Sequence, residues 1–264
     1  MAINLEYDGK LAIITLDDEK QLNALSHQLY FRLSQLMREV AARDDVYITL
    51  LTGNGRFFSA GADMKASHVP QIGDERRHYL HHFVDVFEVA YSFSTHPKIL
   101  ITALNGPVVG LSAALISHSD FIYATPQAYL LTPYTSLGLV SEGGSSLAFV
   151  QRLGISKANE ALMMSKRITS EELLQCGFVN KVFVDDARSG TFMKQVRNEI
   201  HERLGDHLNS ESLVKVKALI RQPYRNNLNS QFVLEMLGNV DRYVAGVPQQ
   251  EFQKMAAGRK RHKL

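Results

Sequence analysis

A single carboxylate, Glu142, stands in an otherwise uncharged stretch of small and apolar residues at 137–146. Gly143 and Gly144 follow it and let the chain turn tightly, so that the backbone can come close to a ligand. A carboxylate that is poorly solvated in such a place holds a proton more tightly than it does in water. Glu142 is therefore the candidate catalytic base.

Two further segments can supply the groups that such a base needs beside it. Residues 57–65 (FFSAGADMK) and residues 104–114 (LNGPVVGLSAA) are loops of small residues. Main-chain N–H groups from two such loops can converge on one carbonyl oxygen and stabilise an enolate or a tetrahedral oxyanion. Together with Glu142, these loops favour proton transfer next to a carbonyl group.

Other motifs point less clearly to chemistry. His78 and His82 have a spacing that can bind zinc, but the glutamate of a His-Glu-x-x-His motif is missing, so no metal site is predicted. Residues 110–114 lack the closing glycine of a Gly-x-Ser-x-Gly nucleophile elbow. The glycine patterns that bind nucleotide phosphates are absent from the sequence.

Composition narrows the class of protein. The chain has 264 residues, 45% of them hydrophobic, which is enough for a continuous core. Its 29 Lys and Arg against 27 Asp and Glu leave no broad basic excess, so nucleic-acid binding is not expected. The only cysteine, Cys176, can form no internal disulfide, which favours an intracellular compartment. Neither a signal peptide nor an apolar run of the roughly 20 residues that span a membrane is found in the sequence.

The elements that must position these residues follow from periodicity and turn signals. Strands are predicted at 3–7, 11–16, 46–51, 99–104, 121–124, 129–131 and 179–184, and helices at 26–43, 79–93 and 112–118. A polar loop is predicted at 66–74, and three or four amphipathic helices at 187–257. The sequence thus predicts an α/β region followed by an all-α region.

These residues resemble the crotonase, or enoyl-CoA hydratase/isomerase, superfamily. The match covers roughly residues 5–185 by motif, and its quoted parts are 23–25 (NAL), 55–63 (GRFFSAGAD) and 105–107 (NGP), continuing to Gly154 and Gly177. The resemblance implies an α/β spiral of ββα turns with a carboxyl-terminal helical trimerisation region. Residues 1–200 would be the acyl-CoA-binding core, and 201–264 a helical oligomerisation region with a basic tail. A homo-trimer or hexamer is expected.

The resemblance also assigns site residues. By matching motif positions, the N–H groups of Ala60 and Leu111 would hold the thioester oxygen. The substrate and CoA site would be formed by Ala60, Gly61, Ala62, Asp63, Met64 and Leu111. Hydratases of the family use two glutamates, but the matching positions here are Ala114 and Tyr134, neither of which can activate water. Glu142 falls where Δ3,Δ2-enoyl-CoA isomerases, especially the fungal peroxisomal type, carry their base.

The expected function is therefore isomerisation of a 3-enoyl-CoA to a 2-trans-enoyl-CoA in the β-oxidation of unsaturated fatty acids. No metal or other cofactor is expected, because coenzyme A is part of the substrate. Two alternatives stay open: another crotonase reaction such as dienoyl-CoA isomerisation, and a non-catalytic module that holds acyl-CoA or a protein.

The basic tail carries a further expectation about location. Its ending, His262-Lys263-Leu264, resembles a Ser-Lys-Leu peroxisomal signal that an import receptor reads, so a peroxisomal location is expected. The alternatives are a frayed or nuclear-type basic terminus, and a cytoplasmic protein.

Overall fold

The computed structural model describes residues 2–63, 74–184 and 191–260, and these ranges hold two β-sheets surrounded by helices. The strands are β1 (Ile3–Asp8), β2 (Leu11–Leu16), β3 (Ile48–Gly53), β4 (Ile99–Leu104), β5 (Val108–Val109), β6 (Phe121–Ala124), β7 (Tyr129–Leu131), β8 (Ile168–Thr169) and β9 (Lys181–Val182). The helices are α1 (His27–Ala41), α2 (Glu75–Ser94), α3 (Leu111–Ile116), α4 (Ser145–Leu153), α5 (Ile155–Leu162), α6 (Ser170–Gln175), α7 (Thr191–Leu204), α8 (Ser210–Arg221), α9 (Arg225–Val244) and α10 (Val247–Ala256). Short 3-10 turns occupy Glu19–Gln21, Thr135–Leu137 and Gln222–Tyr224.

The larger sheet has six strands in the order β1-β2-β3-β4-β6-β9. Its first two strands form an antiparallel hairpin, and the later neighbours pair in parallel. Strands β3 and β4 are buried along their whole length, as expected for apolar runs with both faces covered. Because these two strands run in the same direction, the loops that follow Gly53 and Leu104 leave the same edge of the sheet.

The smaller sheet joins these two loops. Its strands lie in the order β5-β7-β8, and β5 pairs in parallel with β7. An isolated bridge links Ser59 of the first loop to Val108 of the second. The two small-residue loops that the sequence singled out are therefore fixed side by side.

The early helices largely follow the predictions. Ser26 caps α1 by accepting a hydrogen bond from the N–H of Leu29, and the predicted residues Leu33, Leu36 and Val40 form its buried face. Helix α2 begins at Glu75, earlier than the predicted residue 79, because its first turn is polar and carries no apolar periodicity. The predicted strand at 179–184 is reduced to β9, since the N–H of Val179 turns back to Leu173 at the end of α6.

The predicted helical region at 187–257 is confirmed as α7 to α10 in its described part. Helix α9 packs against α2 and α4, with its Phe232 and Val240 buried. Leu219 of α8 and Leu234 of α9 are 69% and 62% exposed. Helix α10 packs on α9 and on the turn Thr135–Leu137. The division into two regions at residue 200 stays a prediction. None of the described helices is long and apolar enough to cross a membrane.

Candidate active site

Glu142 lines a cavity of about 610 Å³ beside the two small-residue loops. The same cavity is bordered by Ala60, Gly61 and Ala62 from the first loop and by Val109, Gly110 and Leu111 from the second. Among the described residues that line it, Glu142 is the only carboxylate. The three segments that the sequence picked out are thus brought to one place.

Burial makes Glu142 an unusual carboxylate. Desolvation, and secondly the negative charge of Glu235, raise the pKa of Glu142 to about 8. No hydrogen bond or ion pair to its carboxylate is found within the described ranges, so nothing there offsets the loss of water. Such a group can both accept and return a proton near neutral pH.

The two glycines after Glu142 allow its loop to pack closely. Gly143 and Gly144 have φ values of 66° and 78°, which L side chains rarely adopt. A Cβ atom on Gly143 would lie 2.8 Å from the Cβ of Ala114, and one on Gly144 would lie 2.6 Å from Cε1 of Phe232. The loop is therefore pressed between α3 on one side and α9 on the other.

Side chains of α9 hold this loop through its backbone. The carboxylate of Glu235 accepts hydrogen bonds from the N–H of Gly144 at 2.7 Å and from the N–H of Ser146 at 2.9 Å. One helical turn later, Asn239 accepts from the N–H of Val140 at 3.1 Å and donates to the carbonyl of Ser141 at 3.0 Å. The segment on both sides of Glu142 is thereby fixed by one helix.

His118 supports the same loop from behind. Its Nε2 lies 2.8 Å from the carbonyl oxygen of Gly143, and its ring packs edge-on against Phe232. Burial lowers the pKa of His118 to about 4, so the ring is neutral and donates through Nε2.

In the first loop, the structure corrects one predicted oxyanion donor. The N–H of Ala60 donates to the carbonyl of Leu22 at 2.9 Å, and the N–H of Gly61 donates to Oγ of Ser59 at 3.1 Å. Ala60 is therefore wrong as a donor to substrate, because its N–H is already used. Within residues 2–63, 74–184 and 191–260, the N–H of Ala62 has no hydrogen-bond partner, and Ala62 borders the cavity.

In the second loop lies Leu111, the other residue expected to donate to the thioester oxygen. Gly110 donates its N–H to the carbonyl of Leu131, which anchors the loop to β7. Leu111 begins α3 and borders the cavity, and its N–H has no partner among the described residues. Ala62 and Leu111 thus both border the cavity that contains Glu142, and each has an N–H group without a partner among the described residues.

A buried chain of hydroxyl groups connects the two loops. Oγ of Ser59 lies 2.9 Å from Oγ of Ser112, and the hydroxyl of Tyr30 lies 3.2 Å from Oγ of Ser112. Ser59 also donates to the carbonyl of Asn23 at 2.8 Å. Sequence reasoning missed Tyr30 and this network, because no spacing pattern links residues so far apart in the chain.

The two positions compared with hydratase glutamates carry no carboxylate. Ala114 is fully buried in α3, and the hydroxyl of Tyr134 donates to the carbonyl of Gly110 at 3.2 Å. Tyr134 therefore braces the second loop and lines the cavity. Among the described residues that line the cavity, Glu142 thus has no second carboxylate that could help to activate water.

Apolar side chains complete the cavity wall. Leu139 lines it, whereas the nearby apolar residues Val140 and Phe149 are not among its lining residues. Further lining comes from residues that the sequence did not indicate: Phe83, Val86, Leu137, Tyr243, Phe252, Met255 and Ala256. His82, considered above for zinc, packs its ring 3.7 Å from that of His27 at the cavity edge.

Two predicted sites cannot be placed. Met64, expected to border the CoA site, lies outside the described residues, and so do His262, Lys263 and Leu264. The expected contributions of Gly61 and Asp63 to CoA binding stay predictions.

Comparison with known proteins identifies relatives of this chain. The sequence model of the family "Enoyl-CoA hydratase/isomerase" matches residues 6–242. A protein of Pyricularia oryzae named Delta(3,5)-Delta(2,4)-dienoyl-CoA isomerase is 52% identical over 98% of both chains. A 3,2-trans-enoyl-CoA isomerase of Saccharomyces cerevisiae is 31% identical over 99% of this chain and 96% of its own.

A solved structure supports the fold. The crystal structure of an enoyl-CoA hydratase/isomerase from Pseudoalteromonas atlantica superposes with a TM-score of 0.84 over 100% of both chains, at 24% identity. With the family model covering most of the sequence, the chain belongs to the enoyl-CoA hydratase/isomerase family.

Proposed function

We propose that the protein is a Δ3,Δ2-enoyl-CoA isomerase, with Glu142 as its single proton shuttle. The observation that carries this proposal is one buried carboxylate, with a pKa raised to about 8, in a cavity that also holds two unpaired N–H groups among its described residues. The similarity to isomerases of two fungi supports the reaction class.

The proposed reaction begins with removal of a proton from C2 of a 3-enoyl-CoA by Glu142. The electrons of the C2–H bond enter a dienolate, whose negative oxygen accepts hydrogen bonds from the N–H groups of Ala62 and Leu111. Glu142, now protonated, returns the proton to C4, which leaves the double bond between C2 and C3. One group performs both transfers, so no net proton is gained or lost.

Both parts of the site suit this chemistry. Preorganised N–H donors at a developing oxyanion are each worth roughly 10²–10³ in rate. A base with a pKa near the working pH is effective both in removing and in returning a proton. The apolar walls provided by Leu139, Phe83 and Val86 keep water from competing for Glu142.

Dienoyl-CoA isomerisation is the second candidate, because the relative at 52% identity carries that name. Moving double bonds from positions 3 and 5 to positions 2 and 4 requires a proton to leave C2 and another to arrive at C6. A second acid would serve that longer transfer, yet no other described carboxylate lines the cavity, and residues 64–73 contain no Asp or Glu. A single carboxylate therefore favours proton transfer from C2 to C4 over the longer transfer from C2 to C6.

A direct comparison of substrates tests the proposal. Purified protein is supplied with 3-hexenoyl-CoA or 3,5-octadienoyl-CoA, and the conjugated products are followed by absorbance. We expect a higher kcat/KM with 3-hexenoyl-CoA and little hydration of 2-trans-hexenoyl-CoA. Faster turnover of the dienoyl substrate would assign the second function instead, and absence of both activities would favour a binding module.

Assembly and location are further parts of the proposal. We expect a homo-trimer or a dimer of trimers in which apolar side chains such as Leu219 and Leu234 become covered, and sedimentation would measure it. We also expect import into peroxisomes through His262, Lys263 and Leu264. Deleting these three residues should change location but not activity, provided that no full-length partner is present to carry the protein in.

A further inference from the structure

Glu235 is a buried acid that the proposed proton shuttle does not use. It lies on α9 with only 6% of its surface exposed. Each of its oxygens accepts one backbone N–H, from Gly144 at 2.7 Å and from Ser146 at 2.9 Å. These peptide groups follow Glu142 directly and begin α4. The buried carboxylate of Glu235 thus uses both of its oxygens to hold the short segment that carries Glu142.

Glu235 also lies next to Glu142 itself. Both side chains border a small cavity behind the active site, whose other walls from α2 are the apolar residues Phe83, Val86, Phe87 and Ala90. No cation is paired with Glu235 among the described residues. Its negative charge is, after burial, the second cause of the raised pKa of Glu142.

The other ionisable groups around the pair are neutral at working pH. They are Tyr30 from α1, His82 from α2, His118 from the end of α3, Tyr134 before Glu142, and Tyr243 from α9. Burial raises the pKa of each tyrosine, and lowers that of His82 to about 3 and that of His118 to about 4.

Nearby cations face away from the pair. Arg152 and Arg221 donate to backbone carbonyls of residues 117–119 at the far end of α3, and neither contributes to the pKa of either glutamate. Among the described residues, the carboxylate of Glu235 is thus the charged group that affects the pKa of Glu142.

We propose that Glu235 is a positioning residue of the isomerase, which fixes the peptide groups after Glu142 and keeps a negative charge beside the base. The proposal rests on the proposed role of Glu142 as proton shuttle. It divides two similar acids by their surroundings. Burial raises the pKa of both carboxyl groups, but the hydrogen bonds from Gly144 and Ser146 counteract that rise at Glu235, so Glu235 ionises first and Glu142 takes the proton. Environments that separate two carboxyl groups in this way assign acid and base roles.

Asn239 provides a matched control on the same helix. It holds the same loop one turn away, through Val140 and Ser141, but it carries no charge. Asn239→Ala therefore loosens the loop without changing the charge near Glu142, whereas Glu235→Gln keeps the size of the side chain and removes the charge. Only the second change should affect the proton affinity of the base.

The test is the pH profile of kcat/KM for 3-hexenoyl-CoA in wild type and both variants. In Glu235→Gln the acidic limb should move about one unit toward lower pH, and kcat should fall about tenfold, with little change in KM. In Asn239→Ala kcat should also fall, but the acidic limb of the pH profile should lie at the same pH as in the wild type. An unmoved limb in a folded Glu235→Gln variant, or equal shifts in both variants, would overturn the proposal.

Titration of the wild type gives an answer that does not depend on how the variants fold. With ¹³C-labelled glutamate carboxyl groups, NMR should show Glu235 ionising at lower pH than Glu142. The reverse order would also overturn the proposal. A Glu142→Gln variant that keeps full activity would instead remove the proposed function, so the two failures are distinguishable.

Discussion

The two sides of the cavity are held by different parts of the chain. The oxyanion side is fixed inside the β-sheet region, by the bond from Ala60 to Leu22, the bridge between Ser59 and Val108, and the hydroxyl pair of Ser59 and Ser112. The base side has no strand partner and is held by side chains of α9, chiefly Glu235 and Asn239.

This difference separates two tasks. In the proposed reaction, stabilising the thioester oxygen depends on neighbouring loops of one sheet, whereas proton transfer depends on a helix about ninety residues further along the chain. A change on one side should therefore impair its own task and leave the other measurable. We expect charge stabilisation and base strength to respond to different substitutions in this site.

The largest effect should follow from removing the base. Glu142→Gln keeps the shape of the side chain but cannot accept the proton, so kcat should fall by roughly 10²–10⁴. The dissociation constant of 2-enoyl-CoA should hardly change, because Ala62 and Leu111 belong to the other side. Isothermal titration and initial rates measure the two quantities. Near wild-type turnover by this variant would refute the assignment of Glu142.

A smaller loss should follow from displacing the base without removing it. Gly144→Ala places a methyl group against Phe232 and Leu228, at 2.6 and 2.8 Å before any relaxation, at a φ of 78°. We expect kcat to fall by roughly tenfold or more, with strain and crowding of about 1–3 kcal/mol in unfolding free energy.

The matched control for this change is Gly246→Ala. Gly246 has a similar φ of 70°, but nothing lies within 4 Å of an added Cβ. The control shares the backbone strain and lacks the contact with α9. If both variants lose the same activity, displacement of the base side is not the cause.

On the oxyanion side, Ser112→Ala should weaken catalysis only several-fold. It removes the hydroxyl that joins Ser59 to Tyr30, so the two N–H donors are less firmly aligned, and stability falls by about 1–2 kcal/mol. The carbonyl stretching frequency of a bound 2-enoyl-CoA should move toward its value in water, while the pH profile stays unchanged. A shifted pH profile with an unchanged carbonyl frequency would place Ser112 on the base side.

The last prediction concerns the pH dependence of stability and not catalysis. The pKa of Glu142 is raised in the folded protein, so its folded form prefers the proton, and ionising it in the fold is unfavourable. Glu142 should therefore lower stability progressively as pH rises from its unfolded pKa of 4.5 toward about 8. Because one pH unit corresponds to about 1.4 kcal/mol, Glu142→Gln should be more stable than wild type by up to about 5 kcal/mol at pH 9 and nearly equal at pH 4. Denaturant unfolding at both pH values measures this difference, and equal stability at pH 9 would contradict the buried charge.

The sequence revealed features that arise from local pattern. Glu142 was recognisable because a lone charge in a small and apolar stretch is conspicuous, and the buried strands β3 and β4 were recognisable as apolar runs. Helix α1 was predictable from its cap Ser26 and the spacing of its leucines. These signals are all contained within a few turns or strands.

Features that depend on the direction of an N–H group, or on contact between distant parts of the chain, were not predictable. Ala60 and Ala62 are the same residue type in the same small-residue loop. Only the folded backbone shows that the N–H of Ala60 is already bonded to the carbonyl of Leu22. Glu235 lies in an amphipathic helix where an acidic residue normally faces solvent, so nothing local marks it as buried. Its partner segment becomes adjacent only when α9 packs on α4.

The wall formed by Phe252, Met255 and Ala256 has a consequence for protein synthesis. A ribosome that has produced the sheet, both oxyanion loops and Glu142 has still not produced α10, and the cavity lacks that side. Until α10 is made, the cavity would be open to water on this side. Enclosure of the proposed acyl substrate can therefore begin only after translation has passed residue 256.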